Sequence, residues 1–218
     1  MHLQHLGHAC VLVEMAGLRI LFDPGNLSDA WRSLTDLDAV LVTHLHPDHL
    51  DDQQLPALLA ANPSARVLVE PSIPGLVRDG KIAELGAITP IAAGDTVSLG
   101  PVTISAVGGT HAEIHRDIPR IGNVGLLVSA EGEPTVFHPG DSYATAPEGV
   151  DVLAMPAYGP WAAMKETIDF VRAVAAPHGF PIHDELLNDR GRALVLGRVN
   201  DMTETALVDL RGGRPQAF

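Results

Sequence analysis

Four metal-ligating side chains fall within the six residues His44-Leu45-His46-Pro47-Asp48-His49, directly after the apolar run Ala39-Val40-Leu41-Val42-Thr43. The run predicts a buried strand over 39–43, which puts the cluster at a strand end. Side chains two apart in an extended segment point the same way, so His44 and His46 can face one cation together. Asp48 and His49 turn off the strand end toward a second. Imidazoles and a carboxylate, with no thiolate among them, suit zinc, manganese or iron in a water-activating site better than a structural thiolate site. A solvated polar loop is the competing reading, and the density and order of the four residues argue against it. Hydrolysis is the leading expectation, in a fold that delivers further ligands to the same strand end.

The 218 residues are expected to form one hydrolase domain, residues 1–218, long enough to bury a substantial core. No apolar run approaches the length of a membrane span. The N-terminus has no basic region, and Glu14 cuts short the apolar stretch that starts at Cys10, so no signal peptide is expected. Cys10 is the single cysteine, which rules out an intramolecular disulfide. These features predict a soluble, cytoplasmic protein with no membrane partner. The formal charge of −13 argues against nucleic acid, because phosphate-backbone binding needs clustered cations. The only lysines are Lys81 and Lys165, and Arg190, Arg192 and Arg198 make at most a weak basic group. A small-molecule substrate fits this balance. Taken alone, the acidity says only that the protein stays in solution.

Short β-rich runs recur over 9–15, 18–22, 39–43, 66–70, 96–99, 102–107, 123–129, 135–138 and 152–155, punctuated by Gly and Pro. Helices are expected over 51–61, where Leu55, Leu58 and Leu59 share a face, and over 73–80. The clearest helical pattern covers 160–175, with Trp161, Met164, Ile168, Val171 and Val174 as an apolar stripe. Strands mixed with helices in both halves predict an α/β fold with two packed sheets, helices outside, and much antiparallel strand.

Three later positions place a ligand-type side chain just past an apolar run, beside Gly or Pro. His111 follows Gly108-Gly109-Thr110, Asp141 follows Pro139-Gly140, and His183 follows Pro181-Ile182. His183 competes with His178, but Ala176-Pro177-His178-Gly179 reads as an exposed turn, whereas Phe180-Pro181-Ile182 leads into His183 like a buried strand end. His115 competes with His111, which lies nearer its strand end.

In order and approximate spacing, His44-x-His46-x-Asp48-His49, His111, Gly140-Asp141 and His183 resemble the metallo-β-lactamase-fold hydrolases. Leu6-Gly7-His8-Ala9-Cys10, the Phe22-Asp23-Pro24 turn and the compact length resemble the subgroup containing ascorbate-6-phosphate lactonase-like proteins. The resemblance spans about residues 3 to 190. It implies a four-layer αββα sandwich with two divalent metal ions, zinc with manganese or iron as alternatives, at one edge between the sheets. It further implies that His44, His46 and His111 bind the first metal, that Asp48, His49 and His183 bind the second, and that Asp141 bridges them. Two such ions about 3.5–4 Å apart repel unless carboxylates and a bridging hydroxide lie around them, a task for Asp141 and Asp48. The implied reaction is attack of a metal-bridging hydroxide on a small-molecule ester, lactone or phosphoester, with Asp141 orienting the nucleophile. No serine or cysteine nucleophile is required.

Around this set, His8 and Asp23 are expected to support the ligands, since metal-bound imidazoles usually donate their other N–H to a carboxylate or carbonyl. Asp23 could equally be a turn-former before Pro24. Strand packing is the default for His138, core packing for Cys10, and surface exposure for His115, Arg116, Arg120 and Lys165, although an anionic substrate group would suit the last three. The alternative function is a metal-containing ligand-binding or sensing protein without turnover. The intact ligand set argues against it.

Overall fold

Along each apolar run, alternate side chains enter two different cores. In the computed structural model, which describes residues 1–218, Val11, Val13, Ile20, Phe22 and Leu41 join one buried cluster while Leu12, Leu21, Val40 and Val42 join another. Period-two alternation with both faces apolar is what a strand covered on both sides requires. Strands β1 (His2–Gly7), β2 (Cys10–Met15), β3 (Leu18–Phe22), β4 (Ala39–Val42), β5 (Arg66–Val69), β6 (Ile88–Pro90) and β14 (Gln216–Ala217) form the first sheet, ordered β14-β1-β2-β3-β4-β5-β6. The second is ordered β13-β12-β11-β10-β9-β8-β7, from β7 (Thr96–Leu99), β8 (Val102–Gly108), β9 (Val124–Ala130), β10 (Val136–His138), β11 (Val152–Pro156), β12 (His178–Ile182) and β13 (Ala206–Leu207).

The central core holds side chains from both sheets, such as Phe22 and Leu68 with Ile104, Leu126 and Phe180. Helices α1 (Leu55–Ala61) and α2 (Ile73–Arg78) cover the outer face of the first sheet through Leu55, Leu58 and Ile73. Helices α3 (Met164–Val174) and α4 (Asp189–Met202) cover the second through Ile168, Phe170, Val171, Val195 and Val199. The result is the expected αββα sandwich. No helix is long and apolar enough to cross a membrane.

Several boundaries depart from expectation for identifiable reasons. The first helix begins at Leu55 rather than 51, because Pro56 is tolerated only in a first turn. Asp51 instead accepts the amides of Gln53 and Gln54 in the turn before it. The helix expected over 160–175 begins at Met164, where Glu166 accepts the Ala163 N–H at 3.0 Å. Trp161 therefore lies outside it. Strand β12 begins at His178, in what reads as a turn, and β1, β6, β13, β14 and helix α4 carry patterns too short or too polar to be anticipated.

Strand direction is what builds the site. β1 and β2 are antiparallel, as are β2 and β3, so β1 runs with β3, and β4 and β5 follow β3 in parallel. In the second sheet, β8 runs with β10 by the same rule, and β11 and β12 are parallel to it. The C-terminal ends of β1, β3 and β4 therefore share one edge of the first sheet, and those of β8, β10 and β12 share one edge of the second. That is where α/β sheets place ligands.

Candidate metal centre

Each candidate donor, and Asp23 beside them, lies in the loop just past one of those strand ends. β1 leads to His8, β3 to Asp23, β4 to the segment His44–His49, β8 to His111, β10 to Asp141 and β12 to His183. Two groups of four donors form, each with ligand atoms within 4.8 Å of one another: His44, His46, His111 and Asp141, and His8, Asp48, His49 and His183. Each group draws on both sheets. Backbone hydrogen bonds join the sheets here, from the Val124 amide to the Thr43 carbonyl at 2.9 Å and from the His183 amide to the His8 carbonyl at 2.8 Å.

The loops are held in shapes that most sequences avoid. His8, Asp23 and His183 have φ of 50°, 43° and 56°, left-handed conformations that persist in non-glycine residues only when the surroundings over-determine them. At Gly25 a Cβ would collide with the Asp48 carbonyl, so glycine lets the Asp23 turn lie directly on the His46–His49 loop. At Gly140, with φ of 59°, a Cβ would collide with the Asn123 and Thr43 side chains.

A buried carboxylate organises the first sheet's share. Asp23 accepts the Thr43 amide at 2.8 Å, the Thr43 hydroxyl at 2.7 Å and the His49 Nδ1–H at 2.7 Å. These bonds leave His49 Nε2 facing Asp141. His44 Nδ1 lies 3.0 Å from the Thr43 hydroxyl and His111 Nδ1 donates to the Ala112 carbonyl at 2.7 Å, which leaves the Nε2 of each ring for the site. Asp141 is centred between the groups. Its Oδ1 is 3.1 Å from His49 Nε2, and its Oδ2 is 3.2 Å from His183 Nε2 and 3.4 Å from His111 Nε2. Asp48 Oδ2 is 3.1 Å from His8 Nε2 and 3.3 Å from His183 Nε2.

Among the donors, His8 Nε2 pairs with Asp48 Oδ2 at 3.1 Å and His44 Nε2 with His46 Nδ1 at 3.2 Å, but the other close approaches are not hydrogen bonds. His49 Nε2, His111 Nε2, both His183 ring nitrogens, His8 Nδ1 and Asp141 Oδ1 are buried and have no hydrogen-bond partner in the protein. Buried polar atoms are ordinarily paired, so six unpaired ones converging in one place fit a cation site.

The electrostatics divide the histidines. Burial pushes His8, His44, His46 and His138 toward the neutral form. Burial also opposes charge on His49 and His183, but Asp141 and Asp23 hold His49 well above the imidazole range, and Asp141 with Asp48 raises His183 to about 9. The same pairings overcome burial at Asp48 and Asp141 and hold both carboxyls below their usual range. The metal-free protein is therefore expected to be most stable near neutral pH. A raised folded pKa stabilises below the unfolded value and is lost as pH rises through the folded one, so His183 costs stability between about pH 7 and 9, at up to ~1.4 kcal/mol per pH unit, and His49 adds a loss in the same direction as pH rises. The four depressed histidines cost stability as pH falls below about 6.5. Urea unfolding in chelator at pH 6, 7 and 9 checks this, and stability still rising from 7 to 9 would contradict it.

The seven positions anticipated from the sequence, His44, His46, Asp48, His49, His111, Asp141 and His183, all lie in these two groups. His8, anticipated as a supporting residue, stands among the donors themselves. Asp23 supports His49 as anticipated. His138 does not line the pocket: its Nε2 donates to the Ala9 carbonyl and its Nδ1 accepts the Gly140 amide, which fixes the turn carrying Asp141. Arg120 donates to the His111 carbonyl, while His115, Arg116 and Lys165 are exposed, as is His178 at the far end of β12 from His183. Two contributors went unanticipated. The Trp161 indole N–H donates to Asp141 Oδ2 at 2.9 Å, and Asn123 accepts the Asp141 amide while donating to the Pro139 carbonyl. The Gly159-Pro160 pair before Trp161 was the available signal for a break. Asn123 offered none.

Known proteins share this arrangement of elements. A family profile described as beta-lactamase superfamily domain matches residues 2–183. Protein Rv0786c of Mycobacterium tuberculosis is 41% identical over 207 residues, 94% of each chain. A UPF0173 metal-dependent hydrolase of Azorhizobium caulinodans is 29% identical over 156 residues, 65% of this chain and 64% of that one. Among solved structures, the metallo-beta-lactamase fold protein YhfI from Bacillus subtilis has a TM-score of 0.75 at 14% identity, covering 99% of this chain and 98% of that one. CmlA, a diiron beta-hydroxylase from Streptomyces venezuelae, has a TM-score of 0.73 at 19% identity, covering all 100% of this chain and 54% of that one. These two likenesses are of fold alone, and the lactonase-like subgroup is a narrower statement than any of the matches carries.

Proposed function

The chain belongs to the beta-lactamase superfamily, and from that premise we propose that it is a binuclear, zinc-dependent hydrolase of small-molecule esters, lactones or phosphoesters. The reaction class follows the UPF0173 relative named a metal-dependent hydrolase. The observation that carries the binuclear reading is the pair of four-donor groups with Asp141 within 3.4 Å of imidazoles from both. His44, His46 and His111 would hold one ion, Asp48, His49 and His183 the other, with Asp141 between them and His8 beside the second. Imidazole and carboxylate donors without thiolate suit zinc, and equally leave room for manganese or iron. Two bound ions would supply a water acidified to near-neutral pKa and a Lewis-acid contact to the substrate oxygen.

The remaining work falls to the chain. Asp23 and Thr43 orient His49 and His44, and the Trp161 indole holds Asp141 Oδ2 in place. Of the eight donor residues only His46 and Asp48 are part-exposed, so substrate meets the site along their edge. Ile114, Ile118, Pro119 and Ile121 make an apolar wall beside His46 and His111 there. That wall, with the water-excluding burial of the other donors, favours a small substrate presenting one polar reacting group.

Screening the zinc- or manganese-reconstituted protein against lactones, phosphodiesters and thioesters tests the reading. Turnover is expected with at least one class, and His46→Ala should lower it about a hundredfold or more, the loss of ~3 kcal/mol of transition-state stabilisation. Equal turnover in that variant would overturn the mechanism. Tight ligand binding without turnover would instead favour the sensing alternative.

A further inference from the structure

The family match ends at His183, and the chain beyond it is tied to the site by one buried cation. Arg192 lies on α4 with only 3% of its surface exposed. Its Nε donates to Asp184 Oδ2 at 2.6 Å, and its two terminal nitrogens grip Asp209 at 2.7 and 2.9 Å. Asp184 directly follows His183, so the guanidinium fixes a carboxylate one peptide away from a site imidazole. Asp184 is itself buried, and its other oxygen has no hydrogen-bond partner. His5 Nε2 is 3.9 Å from that oxygen and is spent on the His8 carbonyl at 2.8 Å. The charge of Asp184 is thus answered by Arg192.

The His183 turn needs such an anchor. Its φ of 56° is one an L residue keeps only when held from both sides. On one side the His183 amide donates to the His8 carbonyl. On the other, the Asp184 carboxylate is held by the Arg192 Nε–H at 2.6 Å. Both edges of the guanidinium are in use, one on each aspartate, which a lysine ammonium cannot reproduce.

We propose that Arg192 is a positioning residue for the second donor group: by bridging Asp184 to Asp209 it holds the His183 turn so that the imidazole faces Asp48 and Asp141. The inference makes α4 and the segment through Asp209 part of the site, although they lie outside the matched family region. It rests on the reading of His183 as a metal ligand.

The test is zinc stoichiometry and stepwise zinc affinity of the full chain, measured on the wild type, His183→Ala, Arg192→Met, Arg192→Lys and Asp209→Asn. The wild type should bind two ions. His183→Ala should lose one, and Arg192→Met should weaken the second ion about 10- to 100-fold while the first binds as in the wild type. Arg192→Lys should fall between them. Asp209→Asn, at a half-exposed carboxylate, keeps the charge on Asp184 answered, and a several-fold weakening of the second ion is expected even if Arg192→Met does not fold. A lowered thermal midpoint with both ions bound at wild-type affinity in Arg192→Lys and Asp209→Asn would reduce Arg192 to a structural residue and overturn the proposal. Two ions retained in His183→Ala would overturn the ligand reading beneath it, which keeps the two failures distinct.

Discussion

Asp141→Ala is expected to leave a folded protein that holds fewer than two metals and turns over substrate at least about a thousandfold more slowly, as several kcal/mol of lost charge stabilisation requires. Its carboxylate reaches both donor sets, 3.1 Å from His49, 3.2 Å from His183 and 3.4 Å from His111. On the binuclear reading, two dications held at one site would repel strongly, by on the order of 16 kcal/mol at about 4 Å and an effective dielectric of 20, and the Asp141 carboxylate would offset that repulsion. Asp141→Asn separates charge from shape, since it preserves volume and an oxygen for the Trp161 indole. Metal analysis and turnover of both variants check the expectation. Full occupancy of both ions in Asp141→Asn, with turnover within tenfold of wild type, would remove Asp141 from the bridging role.

Chelation should lower the thermal midpoint by about 15 °C or more. An ion present at a thousand times its dissociation constant stabilises the folded state by ~4 kcal/mol, and each kcal/mol moves the midpoint of a protein this size by about 2–4 °C. With two ions the effect roughly doubles, because the donors converge only in the folded chain. Thermal unfolding with and without chelator, followed by zinc add-back, measures it. His46→Ala should show about half the shift. A midpoint indifferent to chelator would retire the metal assignment along with the mechanism.

The parts of this site that were legible in the sequence are those written locally. Val102 to Gly108 and Ala39 to Val42 announce themselves as strands by β-branched and alternating apolar residues, and the ligand just past each strand is marked by Gly or Pro beside it. Trp161 was misread because it stands at helical spacing from Met164 and Ile168, a pattern that periodicity cannot distinguish from a turn reaching back to Asp141. Helix α4 was missed because it contains Gly191 and Gly197 and buries a charge, Arg192, where an apolar residue would have signalled a face. His8 could be suspected of supporting the site but not placed among the donors. Its partner Asp48 is 40 residues away, and only the shared direction of β1 and β4 brings them together.

Because each donor group takes side chains from both sheets, neither half of the polypeptide owns a complete set. The first sheet supplies His44 with His46, and His8 with Asp48 and His49, but the partners that close each group arrive with His111, Asp141 and His183. A chain still emerging from synthesis, or one whose sheets have come apart, thus carries most of the chemistry's ingredients and none of its capacity. The complete donor set therefore exists only while the two sheets are docked against each other.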